Sequence, residues 1–207
     1  MGKHTEIWNE IFYKGFSKES DRAAVILTAS LFDTSLDNLL RSYLVAISTS
    51  EDELFDGPNA PIATFSSKIL MAHRLGLIST EFARDLHLIR KIRNHFAHNV
   101  QGCDFSQPQV AQQVSQLCNS SKMTEKSPEI RKSFGDQGMR GDFMMVCSWM
   151  LWYLNDAAES LEPLTSCRAE IHYTEHFASN DSKKTKTTPS PGKENPKIFP
   201  SVPETEK

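Results

Sequence analysis

Apolar residues recur along most of this chain at steps of three and four, the repeat that lays one stripe along an α-helix. In DRAAVILTASLFDTSLDNLLRSYLVAI, the positions Val25, Ala29, Phe32, Leu36, Leu40, Tyr43 and Ile47 keep that step, and Ser20 stands ahead of them as an N-cap. The pattern predicts a core helix of about seven turns. A short helix is predicted around Ile7, Trp8, Ile11 and Phe12, between a Thr5 cap and Gly15 at its C-terminal turn. LFDGPNAP breaks the chain, and Pro61 is expected in the first turn of a third helix that ends near Gly76. Ser79 and Glu81 open a fourth, on which Phe82, Leu86, Leu88, Ile89, Ile92 and Phe96 form a broad apolar face. A weaker helix is expected from Gln107 to Leu117, then a polar loop to Gly141. Residues 143–154, FMMVCSWMLWYL, are apolar on almost every side, so they read as a central core helix or one shared with a second subunit. No alternating strand pattern, glycine-rich phosphate loop or internal repeat interrupts this series. The expected fold class is all-α, a single helical bundle.

Composition changes the picture at the C-terminus. Residues 180–207 hold five of the ten prolines, many Lys, Ser and Thr, and one aromatic, Phe199. Such a segment buries too little apolar area to offset its ordering entropy, so a folded domain is expected over residues 1–178 and a disordered tail over 179–207. Of the chain's 23 Lys and Arg and 26 Asp and Glu, residues 180–207 hold 6 and 4, so the rest carries 17 against 22. The folded part is acidic, which argues against tight, direct nucleic-acid binding and leaves weak or indirect contact. Four scattered cysteines, Cys103, Cys118, Cys147 and Cys167, show no zinc-ligand spacing and read as reduced packing residues. No run reaches the ~18 consecutive apolar residues of a membrane span, and the opening MGKHTEIWNE lacks a secretory apolar region. A cytoplasmic protein with no membrane contact is expected.

The candidate chemistry lies in IRKIRNHFAH, residues 89–98. Arg93 borders the apolar face, while Arg90, Asn94 and His98 share a neighbouring one. Arg93 and His98 stand about 140° apart on an ideal helix, so they meet only if its end unwinds or Arg93 curls across Asn94. An Arg, an Asn and a His gathered there would suit cleavage of an RNA phosphodiester: His98 as general base, Arg93 on the phosphate, Asn94 as polar support, and no metal. Arg90 and Arg93 are the candidate binding residues. The structural reading instead pairs Arg93 with a carboxylate such as Asp33 or Asp37 of the long helix and sets His98 and its neighbours over the helix C-terminus. HYTEH, from His172 to His176, has the H-x-x-E-H order of an inverted zincin, but no long folded region follows to supply a third ligand. His95 and His98 are spaced to share a metal, although His95 reads better as a partly exposed polar residue. Trp149, Trp152 and Tyr153 are read as core or interface rather than as base-stacking groups. No metal or cofactor is expected.

SDRAAVIL at 20–27, LFDGPNAPIATFSSKI at 54–69, LGLIS at 75–79 and DLHLIRKIRNHFAH at 85–98 resemble the mannitol-operon-repressor family (MltR), in order and spacing. The likeness spans roughly residues 17–165, is most specific in its first half and thins beyond residue 100. It implies an all-helical, self-associating bacterial protein named as a transcriptional regulator but without a helix-turn-helix; action through a protein partner belongs to the reading preferred below and not to the likeness itself. RNHFAH alone is similar to the signature of HEPN domains, whose active members are metal-independent endoribonucleases with a site built across a dimer; others are inactive interaction modules. That motif would place catalysis on Arg93, Asn94 and His98. The reading preferred from the sequence is the MltR-like regulator, with the HEPN-type ribonuclease as its rival.

Overall fold

The structure, a computed structural model, describes residues 8–16, 18–99, 102–122 and 138–165. Its internal contacts divide the chain into Met1–Arg168 and Ala169–Lys207, and all the described residues belong to the first unit. The Thr5 cap, HYTEH, Cys167 and the tail lie outside the described residues.

The described residues form α1 (Trp8–Gly15), α2 (Asp21–Tyr43), α3 (Phe65–Arg74), α4 (Thr80–His98), α5 (Pro108–Ser121) and α6 (Gly138–Ser160), with no strand among them. The all-α expectation holds. Ser20 caps α2 by accepting from the Ala23 amide, and Ser79 caps α4 by accepting from that of Phe82 at 3.1 Å.

Several boundaries differ from expectation, among them the ends of α5 at Ser121 and of α6 at Ser160, beyond the expected Leu117 and Leu154. α2 stops at Tyr43, so Ile47 falls beyond the stripe and is exposed. α3 begins only at Phe65, because Thr64 and Ser67 make a reciprocal capping box that fixes the start there and leaves Pro61 ahead of the helix. α6 is helical from Gly138, the first residue described after 122, and not only from 143, and Arg140 ties its early turns down: Nη1 reaches Asp21 at 2.5 Å, and Nη2 donates to the Phe16 and Glu19 carbonyls at 2.8 and 2.9 Å. α1 is wound with the wider π-helical repeat, closed by the Phe16 amide on the Ile11 carbonyl.

The central helix α2 packs against α3, α4 and α6, while α5 bridges α4 and α6. α6 runs beside α2 in the same direction, joined by Arg140 to Asp21, by the Ser35 hydroxyl to Asn155 Oδ1 and, beyond its end, by the Leu164 amide to the Tyr43 carbonyl. α5 runs against α4, since Gln107 meets His95 at one end and Ser120 meets Arg84 at the other. Phe32, Leu36, Leu40, Ile89, Ile92 and Phe96 are wholly buried between these helices, as their stripes require. Phe96, Phe105 and Phe143 stack in series at 5.4 Å between centroids, which anchors the end of α4 in the core. From Phe143 to Ser148 every residue of α6 is buried, as its all-round apolar character predicts. By length and composition α2 is the one described helix able to cross a membrane, yet half of that window is buried in the bundle, the place of a core helix.

Candidate functional site

The stretch 89–98 is helical to its last residue, so no unwinding brings Arg93 and His98 together. Arg93 Nη1 donates to Asn94 Oδ1 at 3.0 Å, and both side chains are half-buried. His98 is exposed and makes no hydrogen bond or ion pair among the described residues. With the helix intact, the separation of about 140° around its axis stands. The structure therefore joins Arg93 to Asn94 and leaves His98 one turn beyond Asn94, on the face away from Arg93.

The expected partners of Arg93 are taken by other cations. Lys68 of α3 is buried with its Nζ 3.1 Å from Asp33 and 3.0 Å from Asp37 of α2. The Asp33 contact is charge pairing with poor hydrogen-bond alignment. Asp37 also accepts from Arg41 Nε at 2.6 Å, and that guanidinium reaches Asp56 at 2.8 Å and lies 4.4 Å over the Phe55 ring. These bonds hold the Asp56 carboxyl below its usual range, through the Asp52 backbone amide first and Arg41 second. Packing decides the matter: α3 lies against the acidic edge of α2, so its lysine arrives there and the α4 arginine does not.

At the helix terminus the covering group is not His98 itself but its neighbour. Asn99 donates its backbone amide and Nδ2 to the His95 carbonyl at 3.1 and 2.8 Å, while Arg22 donates to the Asn99 carbonyl. His95 Nε2 shares a hydrogen bond with Gln107 Oε1 at 2.9 Å, so the polar reading of His95 holds. Among the described residues no three His, Cys, Asp or Glu side chains gather as metal ligands.

Between Leu86 and Cys103 the sequence has no acid. Arg90, Lys91 and Arg93 make no ion pair among the described residues, and Arg90 Nε is buried without a hydrogen-bond partner. Burial first, then the nearby Arg90 and Lys91 charges, push the pKa of the His87 imidazole below its ordinary range. The C-terminal half of α4 is thus a cationic shoulder with unspent donors.

A second feature escaped the sequence reading. Where α4 begins, α5 ends and α6 passes its midpoint, a cavity of about 200 Å³ is lined by Phe82, Asp85, Ser120, Trp149 and Tyr153, among others. A neighbouring one of about 400 Å³ shares Ser79, Phe82 and Tyr153 with it. Asp85 is only 5% exposed. Its Oδ2 accepts from the Ser120 hydroxyl at 2.7 Å, its Oδ1 has no hydrogen-bond partner, and Arg84 Nε stays 3.9 Å away from Oδ1. Burial raises its pKa, against the lowering effects of Ser120 and Arg84. Trp149 and Trp152 are half-buried and Tyr153 is exposed, so the aromatic cluster lies at the rim of the core rather than within it. One signal was readable: Asp85 sits within the apolar stripe, three residues after Phe82 and four before Ile89.

No family model matches this sequence, and no curated protein matches it. Among solved structures, the fold is similar to a chain in the X-ray structure of the MtlR–HPr complex from Escherichia coli, with a TM-score of 0.53 over 73% of this chain and 98% of that one. At 12% identity, what the two share is the helical fold itself.

Proposed function

We propose that this chain is an MltR-like regulatory protein that acts by binding a protein partner through the cationic shoulder of α4, with a protein of the HPr kind as the first partner to test. The observation that carries this reading is the likeness of fold, which takes in 98% of a chain from a protein–protein complex. The unpaired Arg90, Lys91 and Arg93 support it, because charges left unmatched within a chain favour encounter with a complementary surface. Regulation would pass through that partner, in a cytoplasmic setting, with nucleic acid contacted weakly or indirectly. Self-association belongs to the same proposal: Leu27 and Leu70 remain 42% and 59% exposed, and homo-oligomers detected by sedimentation at micromolar concentration are expected. Isothermal titration of HPr into the full chain should give saturable heat with a Kd of about micromolar strength, close to −8 kcal/mol. No heat with HPr up to about 100 times that concentration would remove this reading.

The rival reading, a metal-independent endoribonuclease, draws on the Arg93–Asn94 pair with an exposed His98 on the next turn. It requires that purified protein cut single-stranded RNA in EDTA to a 2′,3′-cyclic phosphate. His98→Ala should then reduce the rate by about 10²- to 10⁴-fold, the usual contribution of a general base. We expect no cleavage to lose.

A further inference from the structure

The Asp85 cavity lies at the other end of α4 from the cationic shoulder, and its chemistry is independent of the partner proposed above. A carboxylate buried to this degree ordinarily has its oxygens matched, because an unmatched polar atom away from water costs about 1–3 kcal/mol. Asp85 has one oxygen hydrogen-bonded by Ser120, while the other has a long ion pair with Arg84 Nε at 3.9 Å and no hydrogen bond. The arginine is instead mostly exposed and gives its Nη2 to the Ser120 hydroxyl at 2.9 Å. The carboxyl group therefore stands in the wall of the cavity with the Arg84 guanidinium beside it and Oδ1 short of a hydrogen bond.

The other walls narrow the class of ligand. Phe82, Trp149 and Tyr153 place three aromatic side chains around the same space, and aromatic faces attract cations. Ser79 and Ser120 add hydroxyls, and Glu81 adds a second acid. An anion would meet two carboxylates, and a purely apolar ligand would leave Asp85 Oδ1 as it is. A cation carrying methylenes satisfies both the carboxylate and the rings. Oδ1 has almost no surface open to water, so an ammonium meets it only as the side chains around it move apart, and the pair is then held away from bulk solvent.

We propose that this cavity binds an alkylammonium group, its charge set against Asp85 and its methylenes against Phe82, Trp149 and Tyr153. The group could be borne by a free small amine or by a lysine side chain of a protein, and the chemistry at the wall is the same. The neighbouring cavity along Leu77, Ile78 and Ala157 offers room for the rest of the molecule.

The test is a titration of the full chain with n-pentylammonium and with Nα-acetyl-lysine methylamide, followed by tryptophan fluorescence, since Trp149 lines the site. 1-Pentanol serves as the neutral control. Saturable change with either cation, at least tenfold tighter than with pentanol, is the expected result. Binding of pentylammonium alone marks a free amine as the source; equal binding of the blocked lysine marks a protein side chain. Asp85→Asn should weaken the cation at least tenfold and leave pentanol unchanged, and Tyr153→Leu should weaken it about two- to fivefold, as an exposed cation–π contact of about 0.5–1 kcal/mol implies. Circular dichroism confirms that each variant is folded. No saturation by either cation at 20 mM, or equal binding by wild type and a folded Asp85→Asn, would overturn the proposal.

Discussion

Replacing Lys68 by Met keeps most of the side chain's apolar stem and removes only the charge, so it isolates the ion pair that joins α3 to α2. The lysine is 8% exposed and is the buried member of the pair, while Asp33 and Asp37 remain 38% and 22% exposed. Removing one partner of a fully buried pair costs about 3–5 kcal/mol, because the other charge is left unmatched. Here water reaches both carboxylates and Arg41 still holds Asp37, so the cost should fall to roughly 2–3 kcal/mol. For a folded unit of this size about 1 kcal/mol moves the melting temperature by roughly 2–4 °C. Lys68→Met should therefore melt roughly 5–10 °C below wild type by differential scanning calorimetry. Adding Asp33→Asn should recover part of the loss, since the stranded charge is then gone and neighbouring sites couple. Arg93→Ala, which breaks no ion pair among the described residues, should cost less than about 1 kcal/mol. A Lys68→Met variant as stable as wild type, or an Arg93→Ala variant less stable than it, would refute the assignment of the acidic edge of α2 to α3.

Asp85→Asn should raise stability at pH 7, because it removes a carboxylate whose charged form burial disfavours. The sign follows from linkage: burial raises the folded-state pKa of Asp85, so its contribution is fully present below the ordinary carboxylate range and is lost as pH rises through the raised value. Melting curves of wild type and Asp85→Asn should accordingly converge near pH 4 and separate toward pH 7; a constant gap would contradict this. Arg140→Met removes the charge-assisted contacts that tie the start of α6 to Asp21 and to the Phe16 and Glu19 carbonyls. It should cost about 2–3 kcal/mol in urea unfolding and speed amide exchange in the first turns of α6 before that of α4. Phe96→Ala, at the centre of the aromatic series, should cost about 3–5 kcal/mol, measured by chemical denaturation.

The helices with one dominant stripe were legible in the sequence because a single periodicity governs them: the faces of α2 and α4 and the caps Ser20 and Ser79 lie where spacing and capping chemistry put them. Boundaries set by a local competition were not. Pro61 is compatible with a helix start, but the Thr64–Ser67 exchange closes the box one turn later. Arg140 reads as loop until its contacts on Asp21 and on the turn before α2 are known, and these lie about 120 residues away. The same holds for Lys68 against Arg93. Both are basic residues far along the chain from Asp33, and only the packing of α3 beside α2 selects between them. At the candidate site, helical spacing foretold the angle between Arg93 and His98, and the intact helix keeps it. Asp85 was visible as an acid in an apolar stripe, but its cavity is made by residues of α5 and α6, which no local pattern joins to it.

Docking of a protein on the cationic shoulder of α4 meets its sharpest test in a titration of HPr into wild type and into an Arg90→Glu, Lys91→Glu variant at the same ionic strength. Lys91 is exposed, Arg90 is half-buried, and neither pairs with an acid among the described residues, so the variant should stay folded, as circular dichroism would verify. Wild type should bind at micromolar strength, and the variant should lose at least tenfold in affinity, about 1.4 kcal/mol or more. Equal affinity in the two, or no binding by wild type, would contradict docking at this surface.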